Sequence, residues 1–212
     1  MDTRLPNTNT SEPHHRCSWP AGHTDYLAYH DLEWGRPTTD ENLLFEKICL
    51  EGFQSGLSWL TILRKRERFR EVFADFDFHS VAKYDNADVE RLLTDTGIIR
   101  HRGKIEATIN NAQQAIELVD TEGSLVDFVW SYAVAESERA DDSEVPAFTD
   151  RSTALAKDLK RRGWRFFGPT TAYAFMQSEG LTNDHDADCF VRNECETQRR
   201  AFLEGRTLRP TP

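Results

Sequence analysis

Residues 92–105 read LLTDTGIIRHRGKI, and this stretch decides the fold. Two glycines, Gly97 and Gly103, flank a short basic turn that joins one amphipathic segment to the next. We expect Gly97 to adopt a positive φ where the first helix ends, and Gly103 to let an anion approach the N–H groups that begin the second. The stretch predicts two helices joined by a hairpin, which is either a plain helical corner or an anion cradle. The basic residues of the turn are Arg100, Arg102 and Lys104.

Helical patterning continues on both sides of this hairpin. Apolar residues recur at helical spacing in one segment after another from Thr38 onward. Pro169 suits a first helical position, where a missing N–H costs little. No stretch alternates β-branched and polar residues for long enough to build a sheet. The sequence predicts an all-α fold. Its helices should start near Thr39 or Asp40, Leu57, Asp77, Asp85, Gly103, Ser124, Ser152 and Pro169, with the second continuing to Phe73.

The chain of 212 residues fits a single folded domain. Residues 1–15 are rich in Asn, Thr, Pro and His and are expected to form a disordered tail. We expect the helical domain to span residues 16–192 and a polar C-terminal extension to span residues 193–212. The sequence lacks both the run of about eighteen apolar residues that a membrane helix needs and the apolar core of a signal peptide. It therefore favours a cytoplasmic protein, which we expect to be a monomer.

The charge is unevenly distributed along the chain. A formal net charge of −10 argues against indiscriminate binding of nucleic acid, because affinity for phosphates depends on Lys and Arg. Local basic clusters occur nonetheless, whereas acidic residues collect at residues 136–144. Each basic cluster is either a solvated helix face or part of a surface for nucleic acid. The clusters span residues 64–70, 100–104 and 157–165.

Aromatic and acidic side chains concentrate in residues 26–35 and 50–59. Such a cluster is either ordinary core or a pocket in which aromatic faces stack on an extruded base and a carboxylate accepts hydrogen bonds from an amine. Glu51 favours the pocket, because it follows the apolar run 48–50 and precedes Gly52. That position puts its carboxylate near the interior, where it needs a partner.

Cysteine and histidine residues suggest a metal site. Cys17 and His30 lie near the start of the folded region, and His185 and Cys189 lie near its end. The i, i+4 spacing of the second pair would place both side chains on one face of a helix. Two thiolates and two imidazoles would form a closed tetrahedral shell for structural Zn²⁺, although buried cysteines are also commonly inert.

These blocks, together with residues 126–131 and 168–177, resemble the constitutive type I DNA-3-methyladenine glycosylase family. The likeness runs from about Cys17 to Cys189. It implies a helix-hairpin-helix DNA glycosylase fold in which one structural zinc ion ties the N- and C-terminal segments together through the four residues above. It also implies a monofunctional enzyme that hydrolyses the N-glycosidic bond of 3-methyladenine in alkylated double-stranded DNA, in the cytoplasm and associated with the nucleoid.

The resemblance assigns roles to residues of this chain. Glu51 would contact the alkylated adenine and act as the catalytic residue, and the hairpin would bind the DNA backbone through Gly97, Gly103 and its basic residues. Leu57 is a candidate wedge that fills the gap left by the flipped nucleotide. The base-binding aromatic residues would be Tyr29 and Trp59, with Trp19, Tyr26 and Trp34 as further candidates.

The sequence shows no convincing catalytic aspartate or lysine beyond the hairpin. Methylation at N3 makes adenine cationic, so the base departs as a neutral molecule and needs little help from a nucleophile. A non-catalytic protein that binds alkylation damage is the main alternative; a zinc-stapled adaptor and a zinc hydrolase are more distant ones. No phosphate loop or dinucleotide fingerprint is present, so no nucleotide cofactor is expected.

Overall fold

The computed structural model describes residues 15–20, 22–134 and 145–210. These residues form eleven α-helices and one 3₁₀ turn and contain no β-strand, which confirms the all-α prediction. None of the helices in these ranges is long and apolar enough to cross a membrane. The predicted tail, apart from His15, and the acidic run 136–144 lie outside the described residues. The helices are α1 Thr24–Leu32, α2 Glu41–Gln54, α3 Trp59–Leu63, α4 Arg66–Val72, α5 Phe78–Val81, α6 Asn86–Thr94, α7 Arg102–Glu122, α8 Leu125–Trp130, α9 Asp150–Arg161, α10 Pro169–Ser178 and α11 Arg192–Leu203.

Side-chain caps start several helices where the sequence predicted them. The Asp40 carboxylate accepts hydrogen bonds from the backbone N–H groups of Asn42 and Leu43. Asp77 caps α5 in the same way, and Asp85 forms a capping box at α6. Such caps satisfy N–H groups that have no partner inside the helix.

One predicted helix was wrong in its extent. The helix expected from Leu57 to Phe73 is two helices, α3 and α4, which break at Arg64 and Lys65. Helix α2 continues past Gly52 to Gln54. Helix α11 covers part of the expected polar extension and buries Cys195. Hydrophobic spacing marked these apolar faces but did not show where a neighbouring helix forces a break.

Helix α2 lies at the centre of the molecule. Every residue from Leu44 to Phe53 is buried, so the helix is enclosed on all sides. Helices α3, α7, α8 and α10 pack against it. A helix this enclosed would be expected to be apolar all round, yet it carries Glu46, Lys47 and Glu51. Buried charges of this kind need partners or a function.

Candidate active site

A cavity of about 390 Å³ opens beside α1, α2, α3 and α10. We call it the aromatic cavity. All six residues predicted to bind or act on a base line it, and Gln54, Gln177 and Asp184 line it as well. The six residues are Trp19, Tyr26, Tyr29, Trp34, Glu51 and Trp59.

Local helix geometry brings these side chains together. Tyr26 and Tyr29 lie three residues apart on α1, so their rings share one face of that helix. Glu51 lies in the last turn of α2. The Ser58 hydroxyl caps α3 and so places Trp59 at the first position of that helix. Helix α1, the last turn of α2 and the first turn of α3 thus meet at the cavity and contribute side chains to its lining.

The rings of the aromatic cavity already touch one another. The ring centroids of Tyr29 and Trp59 lie 5.5 Å apart, with an interplanar angle of 43°. A purine between two parallel rings needs a separation of about 7 Å, twice the optimal distance between carbon atoms. The contact between Tyr29 and Trp59 therefore leaves no room for a purine between their rings in this conformation. Only a face turned to the open cavity can receive it.

Glu51 is a buried carboxyl group with an unfilled hydrogen-bonding position. It is 4 % exposed, and its Oε2 atom has no hydrogen-bond partner among the described residues. Burial raises the pKa of Glu51 to about 8, with Lys47 lowering it and Glu179 raising it. The group is thus neutral at pH 7 until a cation or a hydrogen-bond donor stabilises its charged form.

Lys47 is a functional candidate that the sequence reasoning missed. Its ammonium donates to the Tyr29 hydroxyl oxygen at 3.0 Å and lies 3.9 Å from a carboxylate oxygen of Glu179. It also lies 4.7 Å from the ring centroid of Tyr29 and 4.8 Å from that of Trp59. Lys47 precedes Glu51 by four residues, and this helical spacing could have revealed their common face.

A group of buried sulfur and nitrogen atoms lies next to the aromatic cavity. One potential ligand atom from each of Cys17, His30 and Cys189 lies within 4.8 Å of the others. Nε2 of His30 lies 3.6 Å from Sγ of Cys189. These three residues could hold a metal ion. His185, the fourth predicted ligand, does not belong to this converging group. We call the four residues together the Cys/His cluster.

His185 approaches this group from the turn after α10. Its ring centroid lies 5.3 Å from that of His30, and its Nε2 atom is buried with no hydrogen-bond partner among the described residues. The other ring nitrogen, Nδ1, lies 2.9 Å from the amide oxygen of Asn183. The prediction that His185 and Cys189 share one helical face was wrong, because α11 begins only at Arg192.

Hydrogen bonds hold the His30 ring in place. Nδ1 of His30 lies 2.8 Å from a carboxylate oxygen of Asp31, and Arg16 donates to the same carboxylate. With Nδ1 directed to Asp31, Nε2 faces the cysteines. A carboxylate behind a histidine is a common arrangement around metal ligands.

The predicted hairpin is present, but two of its residues act differently from the prediction. Gly97 does not have a positive φ. A side chain there would instead bring a Cβ within 2.5 Å of Arg68 Cγ, so close packing requires the glycine. Lys104 is buried, and its ammonium donates to the carbonyl oxygens of Phe53 and Ser55. Lys104 thus ties α7 to the end of α2, and its predicted contact with phosphate was wrong.

The start of α7 still offers hydrogen-bond donors. The His101 ring accepts a hydrogen bond from the backbone N–H of Lys104. Within the described ranges, no acceptor meets the N–H groups of Arg102 and Gly103. Arg100 is exposed and has no partner in the same ranges, whereas Arg102 pairs with Glu90. Phe166 projects 44 % exposed beside Gly103, a neighbour that the sequence did not reveal.

The other two basic clusters differ from each other. All four arginines of residues 64–70 pair with carboxylates, so that cluster is largely neutralised. In the second, Lys157 and Lys160 are exposed and line a cavity of about 890 Å³ beside α9, which contains none of the predicted site residues. The larger cavity therefore lies apart from the predicted chemistry.

Comparison with known proteins decides the family. The sequence profile described as methyladenine glycosylase matches residues 19–193. The chain belongs to the methyladenine glycosylase family. DNA-3-methyladenine glycosylase 1 of Escherichia coli (strain K12) is 50 % identical over 177 residues, which cover 82 % of this chain and 95 % of that protein.

Solved structures of methyladenine glycosylases have the same fold. A crystal structure of 3-methyladenine DNA glycosylase I is 49 % identical and superposes with a TM-score of 0.78, over 83 % of this chain and 98 % of the other. The Staphylococcus aureus enzyme, described in terms of its recognition of 3-methyladenine, is 37 % identical with a TM-score of 0.77, over 84 % and 96 %. The predicted glycosylase function is confirmed over a non-catalytic damage-binding protein.

Proposed function

We propose that this glycosylase flips a 3-methyladenine nucleotide out of alkylated duplex DNA into the aromatic cavity and hydrolyses its N-glycosidic bond there. One observation carries the proposal. A buried carboxyl group with an unfilled hydrogen-bonding position, that of Glu51, shares a cavity of about 390 Å³ with five aromatic rings. Aromatic faces and a few well-placed polar groups are what recognition of a flipped base requires.

The chemistry of the lesion explains why this set of residues suffices. A purine methylated at N3 is cationic, so cleavage of the glycosidic bond releases a neutral base without prior protonation. Entry of this cation lowers the pKa of Glu51 from its raised value and favours the carboxylate form. The carboxylate then accepts a hydrogen bond from the exocyclic amine and orients the base. Its use as a general base for the attacking water is a second role of the same group.

The five aromatic rings form two parts of the cavity wall. Tyr29 and Trp59 form a contacting pair that presents one aromatic wall to the base. Trp19 contacts Tyr26 edge-on at 4.8 Å and Trp34 at 5.1 Å, so the three rings support one another around the rest of the cavity. Stacking on such walls is worth about 1–3 kcal/mol per base.

We assign the grip on DNA to a helix-hairpin-helix element formed by α6, α7 and the turn between them. The N–H groups of Arg102 and Gly103, which meet no acceptor in the described part of the chain, point to a phosphate site at the start of α7, with Arg100 as a nearby cation. Leu57 is 42 % exposed, close in sequence to Gln54 of the cavity lining, and would fill the gap in the duplex. Lys104 positions this element and is not a phosphate ligand.

We assign one structural zinc ion to the Cys/His cluster. The fit rests on the buried, unpartnered Nε2 of His185 and on the orientation of His30 by Asp31. Two thiolates and two imidazoles suit Zn²⁺ and fill its four positions, so the ion would supply stability and no catalytic water. It would join the chain before α1 to the turn before α11.

Replacement of Glu51 tests the proposal. A duplex that carries N-methylated purines is incubated with the wild type, and the released base is identified by mass. We expect 3-methyladenine from the wild type and a roughly 10- to 100-fold slower release from Glu51→Gln, because a hydrogen bond to a charged group is lost. Glu117→Gln removes an exposed carboxylate on α7 and serves as the matched control. Equal rates for Glu51→Gln and the control would reject the assignment.

A further inference from the structure

Phe166 is an exposed aromatic residue in the loop of residues 162–168, between α9 and α10. It is 44 % exposed, and its φ of 56° lies in the left-handed region that residues other than glycine rarely adopt. A single exposed apolar residue is ordinary on a protein surface, but a bulky one in this backbone conformation is uncommon. Uncommon conformations of this kind cluster where proteins bind ligands. Phe166 is therefore a candidate for contact with a ligand.

Helices α7 and α2 hold the loop in this conformation. The buried side-chain amide of Asn111 donates to the carbonyl oxygen of Arg165 at 3.0 Å, and its oxygen accepts from the N–H of Arg165 at 2.8 Å. A Cβ on Gly52 would lie 3.2 Å from the carbonyl oxygen of Phe166, so the glycine allows the loop to pack closely on α2. The loop backbone is thus fixed by buried contacts, whereas the Phe166 ring is left exposed.

The Phe166 ring lies beside the start of α7. A Cβ on Gly103 would lie 3.6 Å from Cζ of Phe166. Within the described ranges, the N–H groups of Arg102 and Gly103 meet no acceptor. Arg100 and Arg165 are exposed, and neither has an ionic partner in the same ranges. Hydrogen-bond donors and cations around an apolar ring favour a ligand that combines anionic and apolar groups.

The backbone of DNA is such a ligand. Each of its phosphates is bonded to deoxyriboses, whose C–H groups offer an apolar surface next to the charge. Contacts to phosphate and sugar fix the position of a protein on the duplex without reading its sequence. An acidic protein partner would meet the cations as well, but DNA is favoured because the ring lies next to the N–H groups to which the phosphate site is assigned.

We propose that Phe166 packs against a deoxyribose adjacent to the phosphate that the N–H groups of Arg102 and Gly103 bind. The loop of residues 162–168 then forms a DNA contact in addition to the hairpin and Leu57. This inference rests on the proposed function, because it presumes the phosphate site at the start of α7. The contact is apolar and independent of sequence, and it holds the strand in place while the nucleotide is flipped.

Binding of a duplex with one tetrahydrofuran abasic site tests the contact without release of a base. We expect Phe166→Ala to bind this duplex roughly five- to tenfold more weakly, because burial of the ring against the sugar is lost. The salt dependence of its affinity should equal that of the wild type, since no phosphate contact is removed. Arg100→Gln should instead lower the salt slope by about one. Affinity for free 3-methyladenine should not change in Phe166→Ala, because Phe166 does not line the aromatic cavity.

Two further variants separate the ring from the backbone and from general effects of truncation. Phe166→Gly suits a positive φ better than Phe166→Ala, so it carries the test if the alanine variant does not fold. We expect both variants to lose the same affinity for the duplex, because both lack the ring. Leu43→Ala truncates a side chain that is 47 % exposed at the other end of α2 from Gly52, and it should bind the duplex like the wild type. Thermal unfolding of every variant verifies the fold.

Wild-type affinity of Phe166→Ala or Phe166→Gly for the abasic duplex would overturn the inference, and a ring that serves a protein partner would give this result. An equal loss of affinity for free 3-methyladenine would also overturn it, because the substitution would then disturb the fold of the cavity. Failure of the proposed function looks different. In that case the wild type itself releases no 3-methyladenine, whereas failure of this inference leaves wild-type release intact.

Discussion

The aromatic cavity and the Cys/His cluster are neighbours, and both bury polar groups, but they treat them in different ways. In the cluster, the potential ligand atoms of Cys17, His30 and Cys189 converge on one point. In the cavity, the Oε2 atom of Glu51 has no hydrogen-bond partner within the described residues, and the pKa of Glu51 is raised by burial. On our proposal, the cluster binds one small ion and stays closed, whereas the cavity keeps an unfavourable buried group for a visiting ligand. Stability and function are divided between the two regions.

Trp19 and Trp34 connect these two regions. The Trp19 ring lies 5.3 Å from that of His30 and also contacts Tyr26, and the Trp34 ring lies 4.5 Å from that of His185. Rigid support behind a binding site holds its side chains in the productive geometry. We therefore expect the cluster to support part of the cavity wall without taking part in the reaction.

Removal of a ligand from the Cys/His cluster should have the largest effect on stability. We expect Cys17→Ser to lose bound zinc and to unfold at a lower temperature, with a loss of at least about 3 kcal/mol, because structural zinc contributes directly to folding. Elemental analysis and calorimetry measure the two effects. Cys49→Ser, at a buried cysteine away from the cluster, is the matched control for metal content. A Cys17→Ser protein with wild-type zinc and stability would show that the cluster is not a metal site.

A pH profile should separate the cavity from the cluster. The pKa of Glu51 is about 8 in the free protein, so the ionised fraction falls about tenfold for each pH unit below that value. We expect kcat/KM for base release to rise with pH and to level off near pH 8, since this parameter reports groups of the free enzyme. Glu179, with a pKa raised to about 7, and Lys47 face the same group. If kcat/KM still rises with pH in Glu51→Gln, the rise belongs to the titration of another group.

Binding of the free base in the aromatic cavity should have the smallest of these three effects, a modest gain in stability. Free 3-methyladenine at ten times its dissociation constant should stabilise the wild type by about 1.4 kcal/mol, because it binds only the folded chain. The measurement is thermal unfolding with and without the base. Adenine, which lacks the methyl group, is the control ligand. If 3-methyladenine stabilised Glu51→Gln as much as it stabilises the wild type, Glu51 would have no role in recognising the base.

The sequence predicted features that local chemistry determines. Helix starts followed from capping residues such as Asp40 and Asp85, and Glu51 stood out because a carboxylate interrupts an apolar run. The resemblance to the family named the six cavity residues, whereas composition alone marked only the aromatic and acidic stretches 26–35 and 50–59. Partners supplied by distant segments could not be read in this way. The sequence predicted Lys104 as a surface cation, but its ammonium donates to the carbonyl oxygens of Phe53 and Ser55. Gly97 is required because Arg68 packs against it and leaves no space for a Cβ.

The boundary error has the same origin. Hydrophobic periodicity is continuous from Leu57 to Phe73, but the helix breaks at Arg64 and Lys65. The Lys65 ammonium donates to the carbonyl oxygens of Thr96 and Gly97. Tertiary contacts of this kind override local patterning. The same limit concealed the pairing of Lys47 with Glu179.

The central claim is that the aromatic cavity keeps Glu51 buried and unpaired for its substrate at the expense of stability. A carboxyl with a raised pKa stabilises the fold below its unfolded pKa, and this contribution is lost as pH rises through about 8. The most direct test is therefore the unfolding free energy of Glu51→Gln and wild type at pH 9 and pH 4, together with base release. We predict a variant that is slower in base release, more stable by roughly 2–4 kcal/mol at pH 9 and equal at pH 4. A variant that is less stable at pH 9, or that releases base at the wild-type rate, would contradict the claim.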